Sequence, residues 1–342
     1  MTKRRKTTLI IVTALLFAAF ILIFSTLTGP GIYPRGWKNT LYIPTGSTYS
    51  QALDSIYSTF DVRGKKLFEW VARMRKYPGL VKPGRYVFDK KTSFLKFLST
   101  LRTGRQTPVN VTFSNVRTLY QVAARVGDKI EADSTSLIAY LLKESNYSAD
   151  GFRKETVISV FIPNTYELYW NTQAPGFFEK MLKEYRKFWN GQRLRKAGEE
   201  RLTPVEVSTV ASIVDEETIR PDEKARIAGV YLNRLKRGMA LQADPTIKFA
   251  LNDFTLTRIL YKHLQVDSPY NTYKHPGLPP GPINCPSVES IDAVLDAEKH
   301  DYIYFVAKAD NSGYHVFSRT LTEHNHYASE YQKYLDKRKI TN

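Results

Sequence analysis

Hydrophobic and polar positions along this chain follow three different regimes. From Leu9 to Phe24 nearly every residue is apolar, and no charge occurs between Thr7 and Pro34. About 20 such residues suffice for a helix to span a bilayer, so the pattern predicts a transmembrane helix over 7–28. Lys3, Arg4, Arg5 and Lys6 precede it. The positive-inside rule then makes 1–6 a cytoplasmic tail and puts the rest of the chain outside. The apolar run is long for a cleaved signal peptide, and no clear A-x-A site follows it. No later stretch approaches this length without a charge, so the expectation is a single-pass protein of the cytoplasmic (inner) membrane.

A Gly/Pro-rich linker over 29–39 leads into the second regime, where short strands alternate with amphipathic helices. Leu41-Tyr42-Ile43 reads as a strand, and Leu53, Ile56 and Tyr57 mark the face of a helix. Leu67 to Tyr77 reads as a second helix and Lys82 to Phe88 as a turn entering a strand. Ser93 caps a third helix with Phe94, Leu95, Leu98 and Leu101 on its face, stopped by Gly104. The order strand, helix, helix, strand, helix over 40–105 describes a small α/β unit, better suited to binding than to catalysis.

The third regime covers 106–342 and reads as a larger α+β domain. It opens with a strand at Val109 to Phe113, then helices near Thr118 to Val126 and Thr135 to Glu144. A charged, exposed helical segment is expected over 179–201. Thr203-Pro204-Val205-Glu206 is a strong helix start, with Thr203 as N-cap, Pro204 at N1 and Glu206 closing a capping box. Val207, Val210, Ala211 and Val214 then keep an i, i+3, i+4, i+7 stripe.

That helix ends in three acids, Asp215, Glu216 and Glu217. At 100° per residue, Glu217 falls about 50° from the centre of the apolar stripe, Asp215 about 110° and Glu216 about 150°. The phase predicts that Asp215 and Glu216 face water and that Glu217 faces the core. Burial and the negative end of the helix dipole both raise a carboxyl pKa. An acid held protonated near neutral pH suits general-acid cleavage of a glycosidic bond; a structural ion pair with a buried Arg or Lys is the other reading. Further on, Asp244-Pro245 is a turn signal. Tyr270-Asn271-Thr272-Tyr273 precedes a rigid Pro/Gly loop at 277–283. Its rings and amides suit a carbohydrate groove and suit a surface loop almost as well.

Composition narrows the classes. Apolar content of 42% is globular, and the single Cys285 permits neither an internal disulfide nor a CxxC metal pair. The net charge of +17 suggests nucleic acid at first sight. An exported position and the lack of a recognisable nucleic-acid motif argue against it. Anionic lipid headgroups or an anionic cell-surface polymer fit better.

Taken together, several motifs carry a family resemblance. They are Ala211-Ser212-Ile213-Val214 leading to Glu217-Thr218, Asn233-Arg234-Leu235, Leu241-Gln242 with Asp244-Pro245-Thr246, Tyr270-Asn271-Thr272-Tyr273, Gly277 to Ile283, Gly313 to Ser318, and Glu323-His324-Asn325. In order and spacing the chain resembles the YceG-like (MltG) endolytic murein transglycosylases over roughly 107–338. The anchor and the unit at 40–105 are similar to that family's membrane helix and LysM-like subdomain. The resemblance implies a peptidoglycan lyase that cuts MurNAc–GlcNAc β-1,4 bonds within nascent glycan strands. Such cuts leave 1,6-anhydro-MurNAc ends and terminate elongation. It implies Glu217 as the catalytic acid, with Gln242, Asp244, Thr246, Tyr270, Asn271, Thr272 and Tyr273 lining the glycan groove. No metal or cofactor is implied, and penicillin-binding glycan synthases are the expected partners. The sequence departs from the family pattern at Asp215, where a Glu is usual, and at Ser114-Asn115-Val116, where Pro-Glu-Gly is usual. Asp215, expected to face water, is expected to matter little. The competing reading is a non-catalytic, membrane-anchored glycan-binding or scaffold protein.

Overall fold

The computed structural model describes residues 3–37 and 39–337, and the fold is α+β. The chain forms two compact units, one of 1–111 with 129–132 and 167–173, the other of 112–128, 133–166 and 174–342.

The first unit begins with α1 (Lys3–Thr28). Several side chains of the expected span, Phe20, Leu22 and Ile23 among them, lie outside the described residues. Among the described residues no helix is long and apolar enough to cross a membrane. Ile10, Leu15, Leu16, Phe17 and Phe24 of α1 are exposed, whereas Leu27 near its end packs against the first unit's core. Then follow β1 (Ile32–Pro34), β2 (Thr40–Ile43), α2 (Tyr49–Thr59), β3 (Phe60–Val62), α3 (Lys65–Met74), β4 (Gly84–Val87), α4 (Phe94–Thr103) and β5 (Val109–Thr112, whose last residue belongs to the second unit). The expected strands and helices are present; β1 and β3 are additional. Each is three residues long, too short for alternation to register, and they pair antiparallel with Ile32 opposite Val62. β2 pairs with β4 antiparallel, Leu41 opposite Tyr86. Ser93 caps α4 by accepting from Lys96 N, and Gly104 closes it at φ +71°. An aromatic cluster fills the core, with Phe88 and Phe97 centroids 4.4 Å apart and Phe60 and Phe97 5.4 Å apart.

The second unit contains α5 (Leu119–Gly127), α6 (Ser134–Leu141), β6 (Thr165–Leu168, whose last two residues belong to the first unit), α7 (Ala174–Phe188), α8 (Gly191–Glu199), α9 (Pro204–Glu217), α10 (Pro221–Lys236), α11 (Asp244–Leu251), α12 (Val288–Leu295), β7 (Tyr304–Ala307), β8 (His315–Ser318) and α13 (Leu321–Lys337). The charged segment at 179–201 is two helices broken at Trp189-Asn190. α7 buries Phe177, Phe178, Met181, Leu182 and Tyr185, so it is amphipathic rather than simply exposed. Asp244-Pro245 is the first turn of α11 rather than a free turn, because proline is well tolerated where a helix has no amide bond to lose.

α9 organises this unit. Its capping box is formed as the sequence predicts: Thr203 Oγ1 accepts from Glu206 N at 3.3 Å, and Glu206 accepts from Thr203 N at 2.8 Å. α8, α10, α11 and α12 all pack on α9. Every residue from Val207 to Val214 is consequently buried. Ser208, Thr209 and Ser212 survive there by donating to carbonyls one turn back. Ser212 Oγ also accepts from Ile283 N at 3.0 Å, which ties the Pro/Gly loop to the helix. Gly281 in that loop passes so close to Glu155 that a Cβ would meet the Glu155 carbonyl at 2.1 Å.

Candidate active site

α9 is buried from Val207 to Val214, and the three acids of its last turn meet three different environments. Asp215 does not face water. Its side chain is 16% exposed and pairs with Lys224 at 3.2 Å. It also accepts from Ser287 Oγ at 2.6 Å and Ser290 Oγ at 2.5 Å. The expectation of a solvent-facing bystander fails because the start of α12 occupies the side where water was expected. Glu216 is exposed, as its phase predicts, and it pairs with Arg117 at 2.8 Å and accepts from Asn284 Nδ2 at 3.0 Å.

Glu217 enters a cavity of about 430 Å³. It is half-buried, with a carboxyl closely surrounded by protein. Tyr231, from the facing side of α10, donates its hydroxyl to Glu217 Oε1 at 2.6 Å. Oε2 accepts no hydrogen bond among the described residues. Burial pushes the Glu217 carboxyl from 4.5 up to about 7; the Tyr231 hydrogen bond opposes this and the charge of Asp244 adds to it. Burial, then the adjacent Glu217, raise Tyr231 well above an ordinary phenol, so Tyr231 is a stable donor. No Arg or Lys forms an ion pair with Glu217 among the described residues.

Of the seven expected groove residues, Gln242, Asp244 and Tyr273 line this cavity with Glu217. Tyr273 donates its hydroxyl to Asp244 Oδ1 at 2.6 Å, which orients the second carboxylate. Thr246, Asn271 and Thr272 are fully buried and do not line this cavity. They hold the wall from behind. Thr272 Oγ1 accepts from Ala243 N at 3.0 Å and lies 2.9 Å from Thr246 Oγ1. Asn271 Nδ2 donates to Leu264 O and Val266 O at 2.9 and 2.8 Å. Tyr270 packs on Phe249, centroids 4.6 Å apart, and is not part of the cavity.

The cavity's other members escaped the sequence reading as site residues. Arg234 lies one turn from Tyr231 on α10, and i, i+3 spacing puts both on one face. Its guanidinium donates to Ile303 O at 2.6 Å, Leu241 O at 2.8 Å and Gln242 Oε1 at 3.2 Å. It thus fastens the turn where Gln242 takes φ +52°. Leu241, Tyr304, Phe305, Leu321, His324 and Asn325 form the remaining wall. His324 stacks on Tyr304 at 5.1 Å with its Nδ1 buried and unpartnered among the described residues. Burial, then Arg234, lower its pKa, which favours the neutral ring. The Glu323-His324-Asn325 motif was the available signal for this wall.

The cavity therefore combines a carboxyl poised near neutrality, a second oriented carboxylate and flat aromatic surfaces, the equipment for acid chemistry on a sugar. The chain matches the YceG-like family over residues 41–330, and it belongs to that family. It is 31% identical over 306 residues to an endolytic murein transglycosylase of Bacillus subtilis, covering 84% of this chain and 83% of that relative. It is 28% identical to an endolytic murein transglycosylase of Streptococcus pneumoniae strain D39, covering 85% of this chain and 58% of that longer protein. The crystal structure of a yceG-like protein from Listeria monocytogenes aligns with a TM-score of 0.54 at 27% identity, over 84% of this chain and 98% of that one.

Proposed function

We propose that this protein is an endolytic peptidoglycan lytic transglycosylase with Glu217 as its catalytic acid. The observation that carries the reading is Glu217 in the cavity, raised to about 7 and, among the described residues, hydrogen-bonded through one oxygen only. Protonated Glu217 donates its proton to the β-1,4 glycosidic oxygen between MurNAc and GlcNAc as that bond breaks. The carboxylate so formed takes the proton of the MurNAc 6-hydroxyl, whose oxygen closes on C1. The products are a 1,6-anhydro-MurNAc end and a free GlcNAc 4-hydroxyl, and atoms balance without added water. Asp244, held by Tyr273, favours both the protonated state of Glu217 and the positive charge that develops at C1. The neutral walls supply stacking faces for sugar rings.

Asp244 in the same cavity supports a second reading, hydrolysis by two carboxyls. The products separate the two: a lyase leaves anhydro-MurNAc, a hydrolase a reducing end 18 Da heavier (about one water). Mass spectrometry of uncrosslinked strands treated with wild-type and Glu217→Gln protein is the test. Anhydro products from the wild type, and a loss of about 10²-fold or more in the variant, are expected. Wild-type rates in Glu217→Gln protein would remove Glu217 as the acid, and no cleavage by the wild type would leave the non-catalytic, glycan-binding reading in place.

The apolar character of residues 7–28 and the cations at 3–6 support a single cytoplasmic-membrane anchor with the remainder outside. The small α/β order of 40–105 supports a LysM-like glycan-binding subdomain ahead of a catalytic domain at 106–342. An enzyme tethered in this way reaches nascent strands near their origin, which makes penicillin-binding glycan synthases the natural partners. Cosedimentation with membranes, lost on deletion of residues 2–28, is the expected result; retention after that deletion would refute the anchor.

A further inference from the structure

We propose that the first unit carries a binding surface for anionic phospholipid headgroups, built as a basic collar around the exit of α1. This rests on the reading of α1 as a membrane anchor. Two separate segments converge on Gly31 and Ile32, just past the end of the helix. Arg63 N donates to Gly31 O at 2.9 Å, and Gly31 N and Ile32 N both donate to Thr92 O, at 3.1 and 3.0 Å. Thr92 N returns a bond to Ile32 O at 3.0 Å. These bonds place Arg63, Lys65 and Lys66 on one side of Gly31, and Lys90 and Lys91 on the other. Each of the five is exposed.

Their local partners do not neutralise them. Arg63 lies over the Tyr33 ring at 4.4 Å and Lys65 over the Tyr57 ring at 4.6 Å, contacts that fix the cations without cancelling charge. None of the five is in an ion pair among the described residues. The nearby acids in sequence are Asp61, Glu69 and Asp89; Glu69 already accepts from Tyr57 at 2.9 Å and Asp89 from Asn39 at 2.8 Å. Gathering five cations around one short segment costs repulsion that an anionic surface relieves.

The position selects the ligand. Gly31 is three residues past Thr28, so the collar starts within about 10 Å of the helix end. That is about one Debye length at physiological salt, and within the headgroup layer of a bilayer that α1 enters. α3 adds Trp70 and Met74, which are 54% and 66% exposed and share a face with Lys66 at i, i+4, i+8 spacing. Tryptophan beside lysine is the composition of a membrane interface. Anionic headgroups at this site would seat the unit against the surface from which the anchor emerges.

The test uses the full chain reconstituted in vesicles of phosphatidylcholine alone or mixed with phosphatidylglycerol, with amine-labelling rates of individual lysines read by peptide mass spectrometry. Lys65, Lys66, Lys90 and Lys91 are expected to label on the order of five-fold more slowly in the anionic vesicles. Lys143, Lys154 and Lys183 of the second unit, all exposed, are expected to label equally in both. Equal labelling of the collar in the two vesicles overturns the proposal, and so does slowing that extends to the second unit's lysines. A chain that fails to float with either vesicle removes the anchor reading along with it, so the two failures are distinct.

Discussion

Tyr231 and Glu217 share one proton-poised contact, and its sign sets the pH behaviour of the site. The tyrosine stabilises the charged carboxylate while burial destabilises it, and burial prevails. Turnover that begins with protonated Glu217 is therefore expected to fall as pH rises through about 7. Removing the donor in Tyr231→Phe raises the Glu217 pKa further. A hydrogen bond to a charged group contributes about 1.5–3 kcal/mol, so the descending limb should move up by about one unit or more; an unmoved limb in a pH–rate profile would refute the role. The same shift acts on stability. A carboxyl raised in the folded state is harmless below about pH 4, where both states are protonated, and destabilises progressively between about 4.5 and 7. Glu217→Gln should therefore gain about 1–3 kcal/mol on wild type at pH 8 relative to pH 4 in urea denaturation. Glu217 could be read from helical phase, since the stripe Val207, Val210, Ala211, Val214 leads to it. Asp215 could not, because phase carries no sign that the start of α12 packs on that side of α9.

Elements, too, were legible in proportion to how local their determinants are. The Thr203 capping box, the Ser93 cap and the Gly104 stop are chemistry within four residues, and all three form. β1 and β3 hold together only by pairing with each other across the intervening chain, and no pattern within three residues can announce that. For α9 the consequence is measurable at both ends. Thr203→Ala should cost about 1 kcal/mol through loss of the cap. Asp215→Ala at the other end leaves Lys224 with Glu289, at 2.8 Å, as its remaining carboxylate. The loss should be larger, about 2–4 kcal/mol, because a buried pair is broken while one ion stays behind. Thermal or urea unfolding ranks the two variants; equal costs would mean that the Asp215 network adds nothing beyond a surface contact. Asp215→Glu, which restores the carboxylate, should recover most of the loss.

Across the whole molecule the site is assembled from sequence-distant parts. Glu217 and Tyr231 come from neighbouring helices, but Tyr304, His324 and Asn325 reach the same cavity from about a hundred residues later. Periodicity carries no information about such an approach, and only the family motifs hinted at it. All of these residues lie in the second unit, whereas the aromatic cluster of Phe60, Phe68, Phe88, Phe94 and Phe97 is the core of the first. Separate cores predict separate failure. Phe97 is fully buried and touches Phe60, Phe68 and Phe88, so Phe97→Ala should cost about 3–5 kcal/mol. That loss should appear in calorimetry of the full chain as a lowered transition of the first unit, with the second unit's transition unmoved. Between that lowered transition and the second unit's own, cleavage of short soluble strands should continue at the wild-type rate, since Glu217, Tyr231 and Asp244 keep their own core. A single transition that moves as a whole, with turnover falling in step, would show that the two cores unfold as one and that the catalytic geometry depends on both.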